Sequence, residues 1–277
     1  MLYDAIDSIY LAIRDLDAAC RPYERLGLRF SPNLAGCRTL HVGGRTNLFA
    51  VHFIADAAPG SPLAAPLHQA LDAGRSLFAV ALRVANLDTI LAHFTNRGLD
   101  ATKFRDGNTD LAWLPLHEQA GTDLVLVQHA CPVPERYAAV AQAGLLEHAF
   151  PLRRLDHLAV VTHDLDVKTR FWSDVLGVPV AGEVTTPTMV IRQLKIGNAV
   201  LELLGPASPD SPLRQRLPGL VSMASWEVAD LDAAVAQAKA AGFTVSDPAA
   251  GPLPGTRIAT IQGTELAGVN MQLLQYV

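Results

Sequence analysis

No segment of this 277-residue chain approaches the roughly 20 consecutive apolar residues that a membrane-spanning helix needs. Its start, MLYDAIDSIYLAIRDLD, carries acids where a secretory leader would carry bases ahead of an apolar stretch, so a cytoplasmic protein is expected. Concentrated positive charge is also missing: 22 Lys and Arg are interspersed with 27 Asp and Glu, leaving a formal net charge of -5. With no basic stripe to neutralise phosphates, nucleic acid is not an expected partner. Cysteine is sparse and odd in number. Cys20, Cys37 and Cys131 show no CxxC spacing, so neither a disulfide framework nor a cysteine zinc site is indicated, and reduced thiols in or near the core are expected.

What the chain does have is apolar content, 50% of residues against 18% charged, which suits a well-buried globular protein and argues against disorder. Its length allows two domains of common size. One short phrase recurs four times: Arg14-Asp15-Leu16-Asp17, Ala85-Asn86-Leu87-Asp88, His163-Asp164-Leu165-Asp166 and Ala229-Asp230-Leu231-Asp232. The spacing, roughly 65 to 80 residues, is too long for a solenoid and too regular for chance.

Each phrase follows a segment that period-two reading makes a strand: IDSIYLAI, LFAVALRV, LDHLAVVT and VSMASWEV. After each comes a helical pattern ending at a glycine, Gly27, Gly98, Gly177 or Gly242. The Asp or Asn before the first turn can accept from free backbone N–H groups, and the glycine can take the left-handed conformation that stops a helix. Further apolar runs broken by turn residues, such as MVIRQLKIG and NAVLELLGP, read as strands. The unit is thus a strand, a helix and about three strands. Residues 121–128 and 268–275 match in spacing and character, so units two and four close two equivalent halves. The segment CPVPERYAAVAQAGLLEHAFPLRR has the composition of a linker with one short amphipathic helix.

Four such modules, paired two and two, resemble the vicinal oxygen chelate superfamily, which includes glyoxalase I, methylmalonyl-CoA epimerase, extradiol dioxygenases and bleomycin resistance proteins. The resemblance implies an α+β fold of four βαβββ modules paired into two glyoxalase-like open sheet cups. It divides the chain into a first domain over 1–131 (modules 1–60 and 75–131), a linker over 132–152, and a second domain over 153–277 (modules 153–210 and 218–277). In that family, side chains from the first and last strands of paired modules hold a divalent ion at the floor of the cup. The second half looks most like methylmalonyl-CoA epimerase. LDHLAVVTHDLD resembles the opening strand with its metal-binding His, here His157; LELLGPASPDSPL resembles the segment with the second ligand, here Glu202. The second His position reads Met223 and the closing Glu position reads Gln272. In the first half, which resembles a glyoxalase-like domain, the corresponding residues are Ser8, His52, Ala79 and Val125, with His52 open to a one-residue shift in register.

These replacements bear on chemistry. A divalent ion that stabilises an enolate or alkoxide needs imidazole and carboxylate donors, whereas thioether sulfur suits soft ions and a neutral amide binds weakly. His157 and Glu202 alone imply at most a weakly held divalent metal. Gln272 cannot take a proton, nor can Ile191 at the family's other base position, so epimerisation by two opposed bases is not expected. His157 either lines a functional cup or is a hydrogen-bonded core residue. Glu202, between apolar neighbours, is either a cup residue paired with His157 or a structural hydrogen-bonding group.

Met223 and Gln272 read as cavity lining. Ser225, Asn270, Arg192 and Arg257 are candidates for contact with a polar or anionic ligand, His163 is expected on the surface, and His52 with Tyr10 and Arg45 can mark a second pocket. Two functions follow from the resemblance. One is a small-molecule-binding protein with a degenerate metal site that sequesters a ligand or confers resistance. The other is an isomerase or lyase of the glyoxalase and epimerase type using Glu202 and His157. Extradiol oxidation requires two His and a carboxylate, and Met223 removes one of them. Two cups per chain make either a monomer or a homodimer sufficient.

Overall fold

The computed structural model describes residues 2–57 and 60–277. The first module contains β1 (Ala5–Ala12), α1 (Leu16–Arg25), β2 (Cys37–Val42) and β3 (Phe49–Ile54), and α2 (Ala64–Asp72) leads out of it. The second contains β4 (Leu77–Arg83), α3 (Leu87–Thr95), β5 (Thr102–Asp106), β6 (Thr109–Leu114), α4 (His117–Ala120) and β7 (Asp123–His129). After the linker helix α5 (Val133–Gln142), the third runs β8 (Leu152–Val161), α6 (Leu165–Arg170), a π turn over Phe171–Val175, β9 (Val180–Thr185), β10 (Met189–Ile196) and β11 (Ala199–Pro206). The fourth is β12 (Gly219–Val228), α7 (Leu231–Ala240), the two-residue β13 (Ala249–Ala250), β14 (Thr256–Ile261) and β15 (Asn270–Tyr276).

The repeated phrase caps a helix in every module. Asp15, Asn86, Asp164 and Asp230 stand in non-helical backbone, and their side-chain oxygens accept from the N–H groups of Ala18, Thr89, Val167 and Ala233 at 2.9 to 3.0 Å. The four stop glycines all adopt positive φ, from 71° to 94°. The first module departs from the expected three strands after its helix. There Phe30 makes only a single bridge to Leu40, because its ring packs edge-on against Tyr23 and Phe53 and the following Pro32 has no N–H to donate to a ladder.

The strands form two mixed sheets that follow the sequence halves, in the orders β2-β3-β1-β4-β7-β6-β5 and β13-β14-β15-β12-β8-β11-β10-β9. In every module the opening and closing strands run parallel in the same register. Ser8 pairs with Ala50 and Tyr10 with His52; Ala79 pairs with Asp123 and Ala81 with Val125; His157 pairs with Val200 and Ala159 with Glu202; Met223 pairs with Asn270 and Ser225 with Gln272. This repetition settles the register of His52, which occupies the position that Glu202 holds in the third module.

Packing divides the chain differently from hydrogen bonding. One compact unit comprises residues up to Asp7, Ala79–Ala130 and His157–Val221; the other comprises Ser8–Phe78, Cys131–Asp156 and Ser222–Val277. Each opening strand, β1, β4, β8 and β12, is therefore divided between the units. In the first unit the fully buried Trp172 donates to Ala120 O at 3.0 Å, Tyr3 donates to Leu176 O at 2.8 Å, and the buried Asp7 lies between His129 (3.0 Å) and Arg83 (3.7 Å). In the second unit Tyr23 donates to Leu266 O at 3.0 Å and Phe49 meets Trp226 edge-on at 5.6 Å. Modules two and three thus share one unit, and modules one and four share the other.

Candidate functional site

In the first unit, period-two alternation on adjacent parallel strands puts His157 and Glu202 on one face, and antiparallel pairing sets Gln193 of β10 directly opposite Glu202. The apolar neighbours Leu201 and Leu203 turn to the other face and are buried. His157 and Glu202 are themselves only 7% and 5% exposed, so neither can rely on bulk water. A buried carboxylate needs polar partners, and Glu202 has them: Gln193 Nε2 donates to its Oε1 at 3.2 Å, and the imidazole Nε2 of His157 lies 3.9 Å from its Oε2. The imidazole–carboxylate separation is too long for a direct hydrogen bond. Glu202 thus accepts a structural hydrogen bond and also lies near His157. Ile191, on the same face as Gln193, is buried and not ionisable.

Gln193 was not distinguishable as a candidate by residue type, yet a signal for it exists. The Gly197-Asn198 pair between two apolar runs is a two-residue hairpin turn, which fixes Ile196 opposite Ala199 and so Gln193 opposite Glu202.

In the second unit, Met223, Ser225, Asn270 and Gln272 share a face of β12 and β15. Ser225, fully buried, donates to Gln272 Oε1 at 2.8 Å. Asn270 Oδ1 accepts from the Gly263 N–H at 2.6 Å, which ties the closing strand to the loop before it. These contacts make Asn270 a structural clamp and hold the Gln272 amide in one orientation.

Arg192 and Arg257, expected as ligand contacts, are not brought together with the other candidates. Arg192 alternates with Gln193, and Arg257 is an odd number of residues from Thr260, the partner of Gln272, so each guanidinium is on the opposite face from the neighbouring candidates. Arg192 reaches β9 and α6, and Arg257 reaches α7. Arg192 bonds Glu183 and Asp166 at 2.7 Å and Thr169 at 2.9 Å, and Arg257 makes a two-pronged pair with Asp232 at 2.9 Å.

In the first half, Tyr10 and His52 do come together, with ring centroids 4.9 Å apart, and His52 Nδ1 is 3.1 Å from Thr39 Oγ1. Arg45 lies exposed in the turn between β2 and β3. Ser8, at the position corresponding to His157, is 1% exposed, and its hydroxyl has no hydrogen-bond partner among the described residues. Ala79 and Val125 are fully buried and offer no donor atoms. His163 is exposed, with Nε2 3.0 Å from Arg216 O.

In neither unit do these residues fit a tightly held divalent ion: in the first, His157 and Glu202 supply two suitable donors, and in the second, Met223 and Gln272 offer a thioether and an amide, the amide already committed to Ser225. Among the described residues no group of three or more His, Cys, Asp or Glu is placed to hold a metal, and no helix is long and apolar enough to cross a membrane.

Comparison with known proteins agrees with this architecture. Residues 156–260 match the family model for the glyoxalase/bleomycin resistance protein/dioxygenase superfamily. The mitochondrial methylmalonyl-CoA epimerase of Mus musculus is 31% identical over 131 residues, which is 45% of this chain and 74% of that protein. A Streptomyces coelicolor methylmalonyl-CoA epimerase, solved in complex with 2-nitronate-propionyl-CoA, is 28% identical over 46% of this chain and 96% of that one, with a TM-score of 0.41. Over the full length, a mutant of 4-hydroxymandelate synthase from Streptomyces coelicolor shares the fold at a TM-score of 0.67 and 14% identity, covering 100% of this chain and 93% of that one. The chain therefore belongs to the glyoxalase/bleomycin resistance protein/dioxygenase superfamily, and its second half is the part similar to methylmalonyl-CoA epimerase.

Proposed function

We propose that this chain is a small-molecule-binding member of the superfamily that holds an organic ligand without relying on a tightly bound divalent ion, as a sequestering or resistance protein would. The observation that carries this reading is the state of the four module positions. In the second half only His157 and Glu202 keep ionisable residues there, and the Glu202 carboxylate is already held by Gln193. Met223 and the Ser225-bonded Gln272 are suited to lining a ligand site and poorly suited to gripping a hard cation. Native mass spectrometry on gently purified full-length protein tests it. The expected result is an organic adduct, depleted in Glu202→Ala, with no stoichiometric divalent ion. Stoichiometric zinc, nickel, manganese or iron accompanied by turnover would overturn it.

A second reading is favoured by the 3.9 Å approach of His157 to Glu202 and by the similarity to an epimerase. Here Glu202 takes a proton from carbon next to a carbonyl, and His157 orients the carboxylate or returns a proton. The relative's name makes methylmalonyl-CoA the first thioester to try. Solvent deuterium incorporation that disappears in Glu202→Ala would establish this reading in place of passive binding; no exchange in wild-type protein would dismiss it.

A further inference from the structure

The face of the first unit that carries Glu202 is apolar around it. Strand pairing puts Ala159, Ile191, Val200 and Leu204 on the same face as His157, Gln193 and Glu202. Ala159 and Ile191 are buried, whereas Val200 and Leu204, which flank Glu202 on its own strand, are half-buried, so apolar surface beside the carboxylate stays within reach of a ligand. An apolar wall with a few fixed polar groups is the usual make-up of a small-molecule site.

The carboxylate in this wall calls for a donor. An ionised carboxylate has about four lone-pair sites. Glu202, only 5% exposed, receives one hydrogen bond among the described residues, the 3.2 Å bond from Gln193 to Oε1. Oε2 faces the imidazole Nε2 of His157 at 3.9 Å, too far for a bond between the two. Arg192 does not serve it, because that guanidinium is on the opposite face with Glu183 and Asp166. A buried carboxylate so sparsely bonded favours any group that donates to it.

One oxygen fits the interval: at about 2.7 to 3.0 Å from each, it reaches both Nε2 and Oε2. A hydroxyl is the matching group, since it donates to the carboxylate and has lone pairs to accept from an imidazole N–H. A ligand carboxylate would set a second negative charge beside Glu202, and an ammonium has no lone pair to offer the imidazole. Building on the first reading above, in which the chain holds an organic ligand at Glu202, we propose that this ligand is a neutral, largely apolar molecule bearing a hydroxyl. The hydroxyl sits between His157 and Glu202, and the apolar body lies against Val200 and Leu204.

The test uses the ¹⁵N-labelled full chain titrated separately with benzyl alcohol, toluene, benzylamine and benzoate, following backbone amide shifts. Benzyl alcohol should give saturable shifts at His157, Val200, Glu202 and Leu204 and bind about tenfold more tightly than toluene or benzoate, a difference of about 1.4 kcal/mol. In Glu202→Gln, which keeps the size of the side chain, the preference for benzyl alcohol over toluene should disappear while toluene binds as in wild type, which separates loss of the carboxylate from loss of the fold. Toluene or benzoate matching benzyl alcohol, benzylamine exceeding it, or an unchanged preference in Glu202→Gln would each overturn the hydroxyl assignment while leaving the holding of an organic ligand in place. No saturable shift with any of the four would overturn it as well, and native mass spectrometry then decides separately whether another organic ligand is held.

Discussion

At the scale of single residues, two buried serines on opening strands of different modules reach different solutions to burial. Ser8 and Ser225 are both fully enclosed, but Ser225 donates to Gln272 while the Ser8 hydroxyl has no partner among the described residues. A buried hydroxyl without a partner carries a desolvation cost, whereas a satisfied one contributes about 1 kcal/mol. Ser8→Ala is therefore expected to leave stability unchanged or raise it by up to ~1 kcal/mol, and Ser225→Ala to lower it by about 1 kcal/mol or more. Urea unfolding of the two variants checks the contrast; equal losses would show that Ser8 is satisfied after all.

Residue identity made His157 and Glu202 legible as an ionisable pair in an apolar setting. It could not show that Gln193 completes the pair, because a Gln in a strand has no distinctive signal until the hairpin register places it. Nor did identity alone separate Arg192 and Arg257 from the ligand-facing set. Counting alternation outward from Glu202 and Gln272 does, since each arginine falls on the helix-bearing face.

At the scale of elements, the recurring Asp or Asn before Leu was fully interpretable in advance, because capping is local: one side chain satisfies N–H groups within its own turn. Replacing Asp230 by Ala removes the bond to Ala233 N–H and is expected to cost about 0.5 to 2 kcal/mol, measured by thermal or urea unfolding. Asn at the same site should restore most of the loss; a null effect of Asp230→Ala would mean α7 is held by packing alone. The third strand expected after α1 was less legible. Its loss depends on Phe30 joining Tyr23 and Phe53, a contact between segments that no local pattern announces.

At the scale of the whole molecule, the two sheets could be anticipated from the halves of the sequence, since each is built from consecutive modules. The compact units could not. They depend on buried anchors such as Trp172 to Ala120 and Tyr23 to Leu266, which join modules from different halves and leave no periodic trace. The linker takes part in this packing. His148 Nδ1 accepts from Arg29 N–H at 3.1 Å, so its Nε2–H donates to His41 O at 2.7 Å, and the neutral ring satisfies both partners.

Burial, aided by Arg29 and opposed by the His41 carbonyl, holds the His148 pKa below its ordinary value of 6.5. The unfolded chain then binds the proton more readily. The stabilisation is fully present above about pH 6.5 and is lost as pH falls through the lower folded value. Stability measured between pH 7.5 and pH 5 should fall less steeply in His148→Gln than in wild type, and identical slopes would remove His148 from the account.

The proposed function supposes that this chain lacks the donor set for a tightly held divalent ion. Metal analysis of the full-length protein, loaded with nickel, cobalt, manganese or zinc and then passed through a desalting column, tests it most directly. Metal far below one equivalent per chain is expected, because the resemblance puts Met223 and Gln272 where the family has imidazole and carboxylate. Retention of a full equivalent that is lost in His157→Ala or Glu202→Ala would contradict it.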